Sequence, residues 1–151
     1  MRKLECVILK ERSLNAIQIS KLIPHGEAMS LIEGVENWNN TSLLARTRSH
    51  LRLDNPLSKN GTLPSIASIE YAAQCTAIHS ALVAVTQSRS FVIGALKNVT
   101  FTAIDLSELE GTLRIKVDLI FTGKSGAIYE FSVSHSHLSV ASGRLTLIQR
   151  D

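Results

Sequence analysis

Residues 63–75 read LPSIASIEYAAQC, and this stretch decides the fold. Pro64 can occupy the first turn of a helix, where its missing N–H costs nothing. The run from Ser65 to about Val85 is rich in Ala, Ile and Leu and stops near Thr86-Gln87-Ser88. A helix of roughly 20 residues with so little polar surface has to be covered nearly all round. One sheet wrapped about one helix meets that need. Glu70, Gln74 and His79 interrupt the apolar run, which argues for a helix buried in protein and against a membrane span.

The flanks supply the sheet. Before the helix, LNAIQISKL (Leu14–Leu22) has the spacing of a short amphipathic helix, with Ser13 as its expected N-cap and Pro24 ending it. Met29–Trp38 and Thr41–Ser49 read as a hairpin turning at Asn39-Asn40. His50–Leu63 carries Asp-Asn-Pro and Asn-Gly and reads as a loop. After the helix come the strand-like runs Phe91–Phe101, Leu113–Thr122, Ile128–Leu138 and Ser139–Gln149, and three such segments in succession at this spacing imply an antiparallel meander. No linker or repeat breaks residues 1–151, so one domain is expected. A single curved sheet leaves edges and an open flank, so dimerisation is the natural expectation.

With 44% hydrophobic residues in 151, the chain has enough apolar material to fold around a core without staples. Cys6 and Cys75 lie far apart, and no Cys or His pair has zinc-site spacing, so neither a disulfide framework nor a metal is expected. Cys75 reads as a reduced core thiol of a cytoplasmic protein. The apolar stretch in MRKLECVILKER is far shorter than a signal-peptide core. A net charge of +3 with scattered Arg and Lys, and only one Trp, two Tyr and four Phe, offers neither a basic stripe nor a stacking platform for nucleic acid.

Glu70 is the residue that needs explaining. A carboxylate among Ile66, Ile69, Tyr71 and Ala73 is costly to bury without partners. At roughly 100° per residue it shares a helix stripe with Ile66, Ala73, Gln74, Ala77 and Ala81. Small side chains on that stripe leave room for an extended apolar ligand. A carboxyl group in such a site is a competent general acid. The helix start at Ser65 to Ser68 offers backbone N–H groups that could polarise a thioester carbonyl.

With these residues in view, the chain resembles the hotdog-fold 3-hydroxyacyl-[acyl-carrier-protein] dehydratases, and within them the branch of aryl-polyene pathways. The segments that carry the resemblance are LIPHGEAMSLIEGV (Leu22–Val35), NPLSKNGTLPSIASIEYAAQ (Asn55–Gln74), FVIGALKNVTF (Phe91–Phe101) and ASGRLTLIQ (Ala141–Gln149). The resemblance implies an α+β hotdog fold, a curved antiparallel sheet around one long helix. It further implies a dimer with sites at the subunit interface, an acyl thioester on acyl carrier protein or coenzyme A, and no cofactor. Glu70 matches the family's helix carboxylate, which handles the departing 3-hydroxyl. Elimination also needs a base for the α-proton.

Here the chain departs from its relatives. Typical members carry a His in a Gly-His-Phe-Pro loop before the helix, where this chain has NPLSKNGTLP. His50, which opens the loop, and His25, which matches the family's Pro-His element, are the candidate replacements. His79 lies on the far side of the helix from Glu70 and reads as a core histidine. His135 and His137 share a strand face but lack a third ligand for a metal. Ser65, Ser68, Gln74 and Gly94 are the expected substrate contacts. The expected reaction is dehydration of a 3-hydroxyacyl thioester. The alternatives are a half-active or non-catalytic subunit whose hotdog partner carries the missing His, and a hotdog thioesterase.

Overall fold

The structure, a computed structural model, describes residues 12–23, 26–84, 91–102 and 105–150. Seven antiparallel strands form one sheet: β1 (Leu14–Asn15), β2 (Gly34–Trp38), β3 (Ser42–Thr47), β4 (Phe91–Phe101), β5 (Leu113–Thr122), β6 (Gly126–His135) and β7 (Leu138–Gln149). Their order across the sheet is β1-β2-β3-β5-β6-β7-β4. Among the described residues two α-helices accompany it, α1 (Ala16–Leu22) and α2 (Ser68–Val83). The sheet wraps around α2, which packs on β3, β5 and β6. This is the hotdog arrangement.

Sequence patterning explains the packing. In β5 the alternation Leu113, Ile115, Val117 turns every second side chain inward, against Arg114 and Lys116 outside. Ala127, Tyr129, Phe131 and Val133 of β6 do the same, and Leu145 and Leu147 of β7 complete the floor. On α2, Ser68, Ala72, Cys75 and His79 form a buried stripe. Three of those four are small, so the helix can lie close on the sheet. Burial pushes the Cys75 thiol far above its ordinary value, which leaves it an inert core group.

Four local readings shift, each for a physical reason. Asn15, not Ser13, caps α1: its side chain accepts from the Gln18 backbone at 3.0 Å while Gln18 Oε1 takes the Asn15 N–H at 2.9 Å. The chain before it is held as β1, paired to Val35 and Gly34. The strand expected from Met29 begins only at Gly34, because the Leu31 peptide groups are held by side chains instead of a ladder. The central helix is entered through a 3-10 turn, Ser65–Ala67, and ends at Val83. Only β5, β6 and β7 form the meander; β4 crosses over to pair with β7 at the far edge.

Beyond β7, β4 has no strand neighbour among the described residues. Most of it is exposed, including Val92, Ile93, Leu96 and Phe101. Its register with β7 slips between Ile93 and Ala95 and again between Lys97 and Thr100, beside Asn98 at φ 53°. Gly94 stands at the first slip, and a Cβ there would meet Ile148 Cδ1 at 2.1 Å, so the Ile148 side chain lies across it. The backbone approach at Gly126 is closer still, since an added Cβ would lie 2.0 Å from the Leu147 carbonyl oxygen. A main-chain atom inside a ladder cannot step aside. Gly126→Ala is expected to cost about 2 kcal/mol or more in chemical denaturation, and an unchanged midpoint would contradict this packing.

Candidate active site

Glu70 stands in the first turn of α2 and is half-buried. Gln74, one turn on, is buried and donates from Nε2 to Glu70 Oε1 at 3.2 Å. The same amide nitrogen donates to the Met29 carbonyl at 2.7 Å, and Gln74 Oε1 accepts from the Leu31 N–H at 3.0 Å. One acceptor and both N–H donors are thereby engaged, so the carboxamide cannot flip without losing bonds. Among the described residues Glu70 Oε2 has no hydrogen-bond partner. The arrangement fixes one oxygen of the carboxylate and leaves the other available to a ligand. Ala73, Ala77 and Ala81 continue the Glu70 stripe and are all partly exposed.

Behind this clamp lies a buried polar cluster that sequence reading missed. Thr47 and Ser49 both reach the Leu31 carbonyl, at 2.6 and 2.7 Å. Ser49 Oγ also bonds Tyr71 Oη at 2.8 Å, and Asn55 Nδ2 bonds that phenol oxygen at 3.1 Å. Asn55 does perform turn chemistry, accepting from the Leu57 N–H at 2.9 Å, but its amide spans into the core as well. Burial raises the Tyr71 phenol above its ordinary value. The available signal was the hydroxyl at the inward-facing position Thr47, in a strand otherwise apolar on that side.

The loop before α2 is buckled onto the segment that leads into β5. Asp105 Oδ1 accepts from Ser107 Oγ at 2.7 Å, from the Ser107 N–H at 2.9 Å and from the Leu63 N–H at 3.0 Å. These donors hold its carboxyl below the usual range. Leu106 N–H returns a bond to the Leu63 carbonyl at 2.8 Å. The entry to the helix, and with it the position of Glu70, is thus pinned from outside.

His50 belongs to the same buckle. It is 1% exposed, and its Nε2 lies 2.7 Å from the Leu109 carbonyl. A carbonyl only accepts, so Nε2 carries the proton and Nδ1 keeps its lone pair. Nδ1 is buried with no partner among the described residues. Burial pulls the His50 imidazole below its ordinary value. No hydrogen bond joins His50 to Glu70. His25 lies outside the described residues. Ser68 is fully buried with an unpartnered Oγ and sits about 200° round the helix from Glu70. Ser65 is in the 3-10 turn, which already uses the Ala67 and Ser68 N–H groups on the Pro64 and Ser65 carbonyls. Of the expected site residues, Glu70 and Gln74 are the pair the fold brings into contact.

His79 is a core histidine. Its Nε2 donates to the Asn39 carbonyl at 2.8 Å, and its Nδ1 accepts from the Tyr129 hydroxyl at 2.8 Å. Burial lowers its pKa. Both His50 and His79 are therefore neutral in the fold, while the unfolded chain binds protons near the ordinary value of 6.5. Their contribution is complete above that value and is lost as pH falls from there through the lowered folded values. The melting temperature is expected to drop on acidification below about pH 6.5, and less steeply in His79→Gln. A melting temperature that stays flat down to about pH 5 would contradict both assignments.

A curved antiparallel sheet wrapped around one central helix defines a hotdog-fold protein. The ApeP-like family, described as ApeP dehydratase, matches residues 17–151, and the chain belongs to it. Among solved structures, the dehydratase heterocomplex ApeI:P from Xenorhabdus doucetiae is similar at TM-score 0.78 and 19% identity, over 88% of this chain and 91% of that one. A mutant of the thioesterase PA1618 from Pseudomonas aeruginosa aligns at TM-score 0.65 and 17% identity, over 94% and 99%. The thioesterase HI1161 from Haemophilus influenzae aligns at 0.66 and 14%, over 91% and 92%. At these identities the structural likeness establishes the fold alone. No curated protein matches significantly in sequence. No helix among the described residues is long and apolar enough to cross a membrane.

Proposed function

We propose that the chain is a dehydratase that converts 3-hydroxyacyl thioesters, carried on acyl carrier protein or coenzyme A, into 2-enoyl thioesters and water, with Glu70 as its acid. The observation that carries the reading is the Glu70–Gln74 clamp inside an ApeP-family hotdog fold. The carboxyl of Glu70 gives its proton to the 3-hydroxyl as the C3–O bond breaks and water leaves. A base takes the α-proton from C2, and that electron pair becomes the new double bond. His50 Nδ1 has the free lone pair for this, and Ser65 at the entry to the helix is the proposed contact of the acyl thioester. In this reading the protein acts in the cytoplasm, without a cofactor.

A second reading has specific support. His50 is buried within its own chain and tied to Leu109, β4 exposes an apolar strand edge, and a heterocomplex is among the similar structures. In that reading a second hotdog subunit docks along β4 and provides the base beside Glu70. Thioester cleavage by Glu70 and water is the third reading, in line with the thioesterase neighbours.

One set of assays separates them. The chain, alone and with any hotdog subunit that co-purifies, is given a 3-hydroxyacyl thioester, and 2-enoyl product and free thiol are both measured. Enoyl product supports dehydration, and activity confined to the mixed assembly supports the second reading. His50→Ala is expected to abolish turnover only if the base is internal. Free thiol without enoyl product would replace the proposal with the thioesterase.

A further inference from the structure

The buried cluster behind the clamp has a direction, and it ends on Glu70. Asn55 Nδ2 can only donate, and it gives a hydrogen bond to Tyr71 Oη at 3.1 Å. The Leu31 carbonyl can only accept, and it takes one from Ser49 Oγ at 2.7 Å. With both ends fixed, the single Tyr71 proton goes to Ser49, at 2.8 Å. Leu31 then donates its own N–H to Gln74 Oε1 at 3.0 Å, and Gln74 Nε2 donates to Glu70 Oε1 at 3.2 Å. Asn55, Ser49, Tyr71 and Gln74 are each 4% exposed or less. Water does not compete for the bonds from Asn55 to the Leu31 carbonyl and from the Leu31 N–H to Gln74, so they hold their geometry. Leu31 is the joint: its carbonyl is held by the loop and strand side chains, and its N–H holds Gln74.

We infer that Tyr71 and Ser49 are positioning residues for Glu70, acting through Leu31 and Gln74 to keep one carboxylate oxygen immobile and the other aimed at the substrate. This rests on the role given to Glu70 above. The physical ground is that a displacement of about 1 Å at a reacting group can cost up to 10²-fold in rate. Tyr71 neighbours Glu70 in sequence, but 100° round the helix it points into the core, so its influence has to travel through this chain of bonds and not by contact with substrate.

The test uses Tyr71→Phe and Ser49→Ala in the full chain, purified with any subunit that accompanies it. Two measurements are made: turnover of the N-acetylcysteamine thioester of 3-hydroxybutyrate, and the ¹H–¹⁵N signals of the Gln74 side-chain amide. Tyr71→Phe is expected to lower kcat about five- to tenfold with KM held. The Gln74 amide protons should shift and exchange faster with solvent. A purely structural role would lower the melting temperature and leave the Gln74 signals and kcat of the folded fraction unchanged, which would overturn the inference. Shifted Gln74 signals with unchanged kcat would overturn it too. Should Tyr71→Phe fail to fold, Ser49→Ala carries the same expectations. A wild-type assembly without turnover defeats the functional reading instead, and the Gln74 signals still decide whether Tyr71 controls the clamp.

Discussion

Replacing Glu70 with Gln is expected to reduce formation of 2-enoyl thioester by about 10²–10⁴-fold, the usual contribution of a positioned acid–base group. The substitution preserves volume, and its carbonyl oxygen can still accept the Gln74 amide bond that Glu70 Oε1 accepts now. The fold and melting temperature should therefore be unaffected. What is lost, on the proposed mechanism, is the proton that has to accompany the departing hydroxyl. KM should change little, since in the proposed role the group acts in the transition state more than in ground-state binding. Steady-state kinetics on the purified assembly, with a melting curve of the same sample, make the check. Undiminished turnover in a folded Glu70→Gln protein would remove this residue from the mechanism.

The second large effect is expected from Gln74→Leu. The apolar side chain fills a similar volume but leaves the buried Leu31 N–H and the part-buried Met29 carbonyl without the partners they now have at 3.0 and 2.7 Å. Each unsatisfied group costs about 1–3 kcal/mol, so a loss of roughly 2–5 kcal/mol is expected. For a chain of this size that lowers the melting temperature by about 5–15 °C. Turnover should fall as well, because the Glu70 carboxylate loses its fixed orientation. Thermal unfolding gives the first number and the enoyl assay the second. An unchanged melting temperature would show that the amide does not fasten the Met29–Leu31 segment to the helix.

Much of this was legible in the residues. The apolar run of the central helix dictates its burial, and the carboxylate inside that run is what singles out the candidate site. The i,i+4 spacing of Glu70 and Gln74 put them on one stripe, and they do touch. The period-two alternation of β5 made its inward face readable. What could not be read are features made by long-range pairing. The crossover of β4 to β7 is a choice among sheet edges that local periodicity does not encode. Met29 to Glu33 has strand-like composition, yet the Leu31 groups are taken by Gln74, Thr47 and Ser49, residues distant in sequence. His50 reads from sequence as a loop residue free to swing, whereas its Nε2 is committed to Leu109, 59 positions away. Asp105 was invisible as a site-shaping group, because its importance lies in pinning Leu63 at the mouth of the helix.

The most direct measurement is a crystal structure of the assembly with a stable amide analogue of a 3-hydroxyacyl thioester. The 3-hydroxyl is expected within about 2.6–3.2 Å of Glu70 Oε2, with Oε1 still held by Gln74 and the acyl chain along Ala73, Ala77 and Ala81. A ligand bound elsewhere, or a Glu70 side chain turned from the bound hydroxyl, would contradict this expectation.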